Sequence, residues 1–145
     1  MNADQIKKEQ DIRNYLVHCT GSENHYKNNL YPNFRYTDGV RELMILCDSY
    51  WLLTDCLAHC KTLSLNEGFL TIELFKNSNE ESCYINYTDG NENVLNKQVY
   101  AYTDFPLNNV IQTKDSQDFI LPEPIIHPAV KFYFTNKVLL LPSEY

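Results

Sequence analysis

No stretch of this chain approaches the roughly twenty consecutive apolar residues that cross a bilayer, and the polar opening Met1-Asn2-Ala3-Asp4-Gln5 lacks the apolar core of a secretory signal. The expectation is a cytoplasmic protein with no membrane partner. Basic clusters are as scarce. Lys7-Lys8 is too small to grip phosphates, and a net charge of −7 leaves little to displace the counterions of nucleic acid, so direct nucleic-acid binding is disfavoured. The five cysteines are odd in number and irregular in spacing, which fits free thiols in a reducing compartment rather than a disulfide framework. No phosphate-cradling glycine loop, activated nucleophile or oxyanion site stands out. Asp89-Gly90 lacks the spaced oxygen ligands, ending in a glutamate, that a calcium loop needs, so it reads as a turn. No cofactor and no metal are expected.

What the chain does have is enough apolar material for one core. Its 145 residues are 43% hydrophobic and 13% aromatic, which fits a single domain over 1–145 without internal repeats. Tyrosine and phenylalanine must supply much of the buried area. Tyr-Thr-Asp occurs three times, at 36–38, 87–89 and 102–104, each where an apolar or aromatic run meets a turn signal. Tyrosine suits a half-buried extended segment, and threonine or aspartate oxygens accept hydrogen bonds from the backbone N–H groups that follow. The tripeptide therefore marks element boundaries.

Between those marks, periodicity predicts the elements. Asp4 caps a first helix reaching about His18, with Ile12, Tyr15, Leu16 and Cys19 on one apolar face. A loop follows over 20–29. Thr37 or Asp38 starts a second helix with Val40, Leu43, Met44 and Cys47 facing inward, and Asp48-Ser49 begins a more evenly apolar, central helix through Cys60. From Phe69 the period becomes two, with Leu70, Ile72 and Leu74 inward and Thr71, Glu73 and Phe75 on a wet face. Ser82 to Thr88 reads as a second strand and Val99 to Thr103 as a third. Asn108 to Asp118 reads as a connection, and Pro122, Pro124 and Pro128 as an extended, poorly bonded path. Lys131–Phe134 and Val138–Leu141 flank Thr135-Asn136-Lys137 as a hairpin. Helices first and strands afterward give an α+β fold, with N-terminal helices packed on one face of an antiparallel sheet that ends in a C-terminal hairpin.

Three constellations are candidates for chemistry. Cys56, His59 and Cys60 lie at i, i+3 and i+4 on one helix, a donor set that suits zinc, but no fourth ligand is in view and core cysteine is the reading adopted. Asp55 and His59 are one turn apart, so a carboxylate could orient an imidazole for acid–base work, with Asp38 or Tyr36 nearby; the same spacing also makes a structural pair. Tyr50-Trp51 and Phe132-Tyr133-Phe134 are the largest aromatic clusters, of the residue types that dominate binding hot spots. The candidate binding residues are Tyr36, Asp38, Trp51, Asp55, His59, Asp104 and Tyr133, and none is assigned a catalytic role.

Four blocks carry a resemblance: Tyr36-Thr37-Asp38-Gly39-Val40; Tyr50-Trp51-Leu52-Leu53 with Asp55 and His59; Tyr102-Thr103-Asp104-Phe105-Pro106-Leu107; and Leu139-Leu140-Leu141-Pro142-Ser143-Glu144-Tyr145. Through them the chain resembles an uncharacterised bacterial family, a domain of unknown function met on phages, plasmids and other mobile elements. The resemblance implies a shared fold and a mobile-element setting, and brings no catalytic residues. It also makes 108–128 an apparent insertion particular to this chain. The function expected is that of a non-catalytic interaction protein with a protein partner, concretely an inhibitor of host defence such as an anti-CRISPR protein, whose acidic groups occupy the basic channel of a nucleic-acid-binding defence protein. The alternatives are a small hydrolase-like enzyme built on Asp55, His59 and Asp38, and a homo-oligomer formed by an edge strand near Lys131 to Phe134.

Overall fold

The computed structural model describes residues 2–19, 24–78 and 81–145. Among these residues are three α-helices, α1 (Ala3–Leu16), α2 (Asp38–Leu46) and α3 (Tyr50–Leu63), and a single 3-10 turn at Pro142–Glu144. The strands are β1 (His25–Lys27), β2 (Arg35–Thr37), β3 (Phe69–Lys76), β4 (Cys83–Thr88), β5 (Val94–Tyr100), β6 (Val110–Lys114), β7 (Ile120–His127), β8 (Val130–Thr135) and β9 (Val138–Leu140). A seven-stranded sheet runs β1-β2-β9-β8-β3-β4-β5, antiparallel except for the β2–β9 pair, and β6–β7 form a separate two-stranded ribbon. The α+β class is as expected.

Two of the three α-helices start where a side chain satisfies a free N–H group, while Ser49 ahead of α3 makes no such capping bond. Asn2, rather than Asp4, caps α1: its Oδ1 accepts from the Gln5 N–H at 2.9 Å while the Gln5 side chain accepts from the Asn2 N–H at 3.0 Å. Thr37 caps α2 by accepting from the Val40 N–H at 3.3 Å, and Val40, Leu43, Met44 and Cys47 are all buried. α3 buries Leu52, Leu53, Cys56, Leu57 and Cys60. The other two copies of the tripeptide work in the same way: Thr88 accepts from the Gly90 N–H at 3.2 Å and Thr103 from the Phe105 N–H at 3.1 Å. All three threonines are buried, so the repeat is a set of interior turn anchors.

On the covered side of the sheet, Leu70, Ile72 and Leu74 of β3 meet Tyr87 and Ile85 of β4 and Phe132 and Phe134 of β8 in one core with the helices. The closing hairpin turns at Asn136 and Lys137, with φ of 51° and 63°, the pair of positive values that matches the twist of antiparallel strands. β9 is buried at Leu139 and Leu140, as its run of apolar residues predicts.

Several expectations are corrected. Tyr15 is exposed, because α1 rests on the core through a narrow stripe centred on Ile12. Of the loop expected over 20–29, residues 20–23 lie outside those described, and His25–Lys27 form β1 through pairing with β2. The third strand is Val94–Tyr100 instead of Val99–Thr103, since the Asp89 carboxylate closes a tight turn on Asn91 and Asn93 and lets pairing with β4 resume at once. The wet face of β3 is drier than alternation implies: the buried hydroxyls of Thr71 and Thr88 bond to each other, and Phe75 is half-buried. The stretch read as a connection and a poorly bonded proline path is the β6–β7 ribbon. Pairing jumps from Gln112–Ile125 to Lys114–Ile120, and this irregularity absorbs Pro122 and Pro124 where no ladder bond is demanded of them. Finally, Lys131–Phe134 is no edge: β8 lies between β9 and β3, and the sheet's edges are β1 and β5.

Candidate functional site

α3 crosses the covered face of β4 and β5, which brings Trp51, Asp55 and His59 against Tyr100 and Tyr87. The Tyr100 hydroxyl donates to Asp55 Oδ2 at 2.5 Å, and the Tyr100 ring meets Trp51 edge-on at 5.4 Å. His59 does not receive the Asp55 carboxylate. Its Nδ1 lies 2.9 Å from the Asp55 backbone carbonyl, and its ring stacks on Tyr87 at 4.7 Å. The Tyr87 hydroxyl in turn donates to Gln98 Oε1 at 3.1 Å. Burial, reinforced for Tyr100 by the Asp55 carboxylate, pushes both phenols well above their ordinary range, so they act as permanent donors. The carboxylate–imidazole contact that the i, i+4 spacing allowed is therefore absent, and Asp55 spends its charge on a phenol.

Cys56 and Cys60 point into the core. Burial raises both thiols far above their usual value, which disfavours the thiolate that a nucleophile or metal ligand requires. Cys47 is pushed up to about 12 for the same reason. Among the described residues, no three His, Cys, Asp or Glu side chains gather as a metal site.

Tyr36 and Asp38 lie at the start of α2, away from that pair. Asp38 accepts from the Tyr26 hydroxyl at 2.8 Å and from the Asn24 N–H at 3.1 Å, tying β1 to the helix, and the Tyr26 and Tyr36 rings are 5.6 Å apart. The hydrogen bond to Asp38 holds the Tyr26 phenol above its ordinary value. At the same helix end Glu144 arrives from the far terminus. Its carboxylate accepts from the Thr37 hydroxyl at 2.7 Å, the Gly39 N–H at 3.1 Å and the Leu141 N–H at 3.0 Å. Gly39 has to be glycine for this, since a Cβ would sit 2.5 Å from Glu144 Oε1.

Asp104 lines an open polar cleft of about 530 Å³ with Lys8, Lys76, Glu81 and Tyr102, where opposite charges balance. Tyr133 is on the uncovered face of the sheet, in an aromatic group with Phe69 at 5.1 Å and Tyr145 at 5.4 Å. Farther along that face Phe75 and Tyr84 stack at 5.4 Å, with Lys97 Nζ 4.3 Å from the Tyr84 ring centre. The seven candidate residues thus fall into four separate places and form no single site.

The β6–β7 ribbon, formed where a connection and a proline path were expected, stands out from the body as an arm. Val110, Ile111, Phe119, Ile120, Ile125 and Ile126 are all exposed on it, Ile120 by 82%. Its tip is a tight turn in which Asp115 Oδ1 accepts from the Gln117 and Phe119 N–H groups at 2.8 and 3.0 Å. Its two feet are fastened to the body. Arg13 of α1 donates to the carbonyls of both Asn108, at 2.6 Å, and Ala129, at 3.1 Å, and is itself held by Glu9 at 3.2 Å. Glu9 also accepts from the Asn108 N–H at 2.9 Å, while Asn109 bridges the Lys76 backbone at 2.8 and 2.9 Å. The signal in the sequence was two apolar runs, Val110-Ile111 and Ile125-Ile126, facing each other across a polar Asp-Ser-Gln-Asp tip.

A family of unknown function, DUF6876, matches residues 10–122, which is most of the chain. The chain belongs to that family. No curated protein and no solved structure matches it. The DUF6876 match takes in α2, α3, Asp104 and β6, and stops early in β7, before the closing hairpin and Glu144. Among the described residues of this DUF6876 chain no helix is long and apolar enough to cross a membrane.

Proposed function

We propose that this chain is a non-catalytic protein-binding module and that the β6–β7 arm is its recognition element. One observation carries the reading: the arm exposes six large apolar side chains on a hairpin whose feet are pinned by Arg13, Glu9 and Asn109. Apolar groups displayed on a rigid support bind with little loss of conformational freedom, and here they stand on both faces of the ribbon, Ile111 beside Ile126 on one and Val110 with Ile125 on the other. The polar groups that an enzyme would need at Asp55, His59 and Asp38 are engaged in holding elements together, which favours binding over turnover.

The finer reading is a protein of a phage or other mobile element that antagonises host defence, in the manner of an anti-CRISPR protein. The net charge of −7 supports it, because an acidic body suits the basic channel of a nucleic-acid-binding protein. A photo-reactive residue in place of Phe119 tests the binding role. It is expected to crosslink to a protein in expressing cells, and an arm that crosslinks to nothing refutes it. Immunity assays in cells with a nucleic-acid-guided defence test the finer reading, which fails if expression leaves immunity intact.

A further inference from the structure

The arm and the uncovered sheet face of this chain are complementary in charge, character and size. Alternation and register place Lys27, Arg35, Lys97 and Lys131 at outward strand positions, against Glu73 there and Glu144, whose carboxylate lies over the β2–β9 end at Thr37, on a chain that is otherwise acidic. The arm has the reverse balance, with Asp115, Asp118 and Glu123 against Lys114. The face is aromatic where the arm is aliphatic: Phe75 with Tyr84, and Tyr133 with Phe69 and Tyr145, offer partly open rings to side chains such as Ile111, Ile120 and Ile126. The eight residues of β7 extend about 27 Å against about 29 Å for seven strands, and since Thr37 and Leu140 are buried beside Glu144 at the β2–β9 end, the arm is long enough to cross the open part of the face.

We propose that the arm of one copy lies across the uncovered sheet face of a second copy, in a reciprocal two-fold dimer. This rests on the reading of the arm as a protein-binding element and names what it binds. Both halves of the contact are present on every chain, so two copies close on each other and leave neither half free. A chain cannot serve itself in the same way as it stands, because α1 holds the arm's feet on the covered side of the sheet and the arm's apolar side chains remain open to solvent. An interface of standard size takes about 20–30 residues from each partner, which one arm and one face per copy supply. Docking would also cover the cationic face, leaving a dimer whose outer surface is more uniformly acidic than that of one copy.

Sedimentation velocity across protein concentration, at low and raised salt, is the test. The expected result is a monomer–dimer equilibrium that salt weakens. Placing charges on the arm with Ile111→Asp and Ile126→Asp should weaken the dimer at least about tenfold, as should arm reversal (Asp118→Lys with Glu123→Lys) or face reversal (Lys97→Glu with Lys131→Glu). An equimolar mixture of the arm-reversed and face-reversed chains should recover dimer, because each then presents the charge the other lacks. Circular dichroism guards against misfolding, and the altered residues other than half-buried Lys131 are exposed. A wild-type chain that stays monomeric, or a dimer indifferent to both reversals, overturns the proposal. If that monomer still crosslinks through position 119 to a different protein, the binding-module reading stands while the self-docking fails; crosslinking to nothing rejects both.

Discussion

Removing the Glu144 side chain should loosen the start of α2 from more than a hundred residues away. Glu144→Ala deletes three hydrogen bonds, from Thr37, Gly39 and Leu141, to a part-buried carboxylate that also faces the positive end of the α2 dipole. Hydrogen bonds to a charged group contribute about 1.5–3 kcal/mol each when taken singly, but they share one acceptor and water recovers some of the loss, so a total of about 2–4 kcal/mol is expected. For a domain of this size that is a fall of about 10 °C in melting temperature. Urea and thermal unfolding read the effect, and Gly39→Ala sharpens it. The added methyl meets Glu144 Oε1 at 2.5 Å and Leu141 Cδ1 at 2.8 Å, so it should be costly in the native background, and once Glu144 is alanine only the part due to Leu141 should remain. A loss below about 1 kcal/mol for Glu144→Ala, the scale of an exposed charge, would refute the reasoning, as would equal costs of Gly39→Ala in both backgrounds.

Arg13→Ala leaves both feet of the arm without their shared donor, and should cost about 1.5–3 kcal/mol while raising amide exchange at Asn108 and Ala129 well before it does so in β3; unchanged exchange there would mean the guanidinium is no clamp. Stability should also fall in alkali. Burial raises the thiols of Cys47, Cys56, Cys60 and Cys83 above an ordinary value of 9.0, so each favours the fold fully while it is protonated in both states; that contribution is lost as pH climbs from about 9 toward the folded value, about 12 for Cys47. Unfolding free energies from urea titrations should hold steady to about pH 8 and then decline by up to about 1.4 kcal/mol per pH unit for each thiol, and a flat profile through about pH 10 would contradict this. Lys137→Gly relieves a side chain held at φ 63° in the closing turn, and should stabilise the fold by about 0.5–1 kcal/mol, as measured by thermal unfolding.

How far the sequence reached depended on the range of the forces involved. Thr37 and the inward quartet from Val40 to Cys47 were legible because a cap and a helical stripe are settled within a few residues. The alternation of β3 and β4 and the Asn136 turn were legible for the same reason. Val94–Tyr100 was misread because its polar residues lie on an edge strand, where pairing with β4 rather than burial makes the strand. Asp55 and His59 are a turn apart on α3, as their spacing says, yet Tyr100 claims the carboxylate, and nothing near residue 55 in the chain announces that.

The sequence by itself determined the α+β class, the three helices ahead of β3, β4 and the closing hairpin, and the three threonine anchors, since periodicity and hydrogen bonding to the next two or three N–H groups are local. Only the tertiary structure decided that β2 and β9 pair in parallel, that Glu144 caps α2, that β8 is interior, and that Val110–His127 stand out as a clamped arm. Each of these joins residues far apart in the chain, and such contacts depend on which loops can close together and which surfaces fit, quantities that no window of neighbouring residues contains.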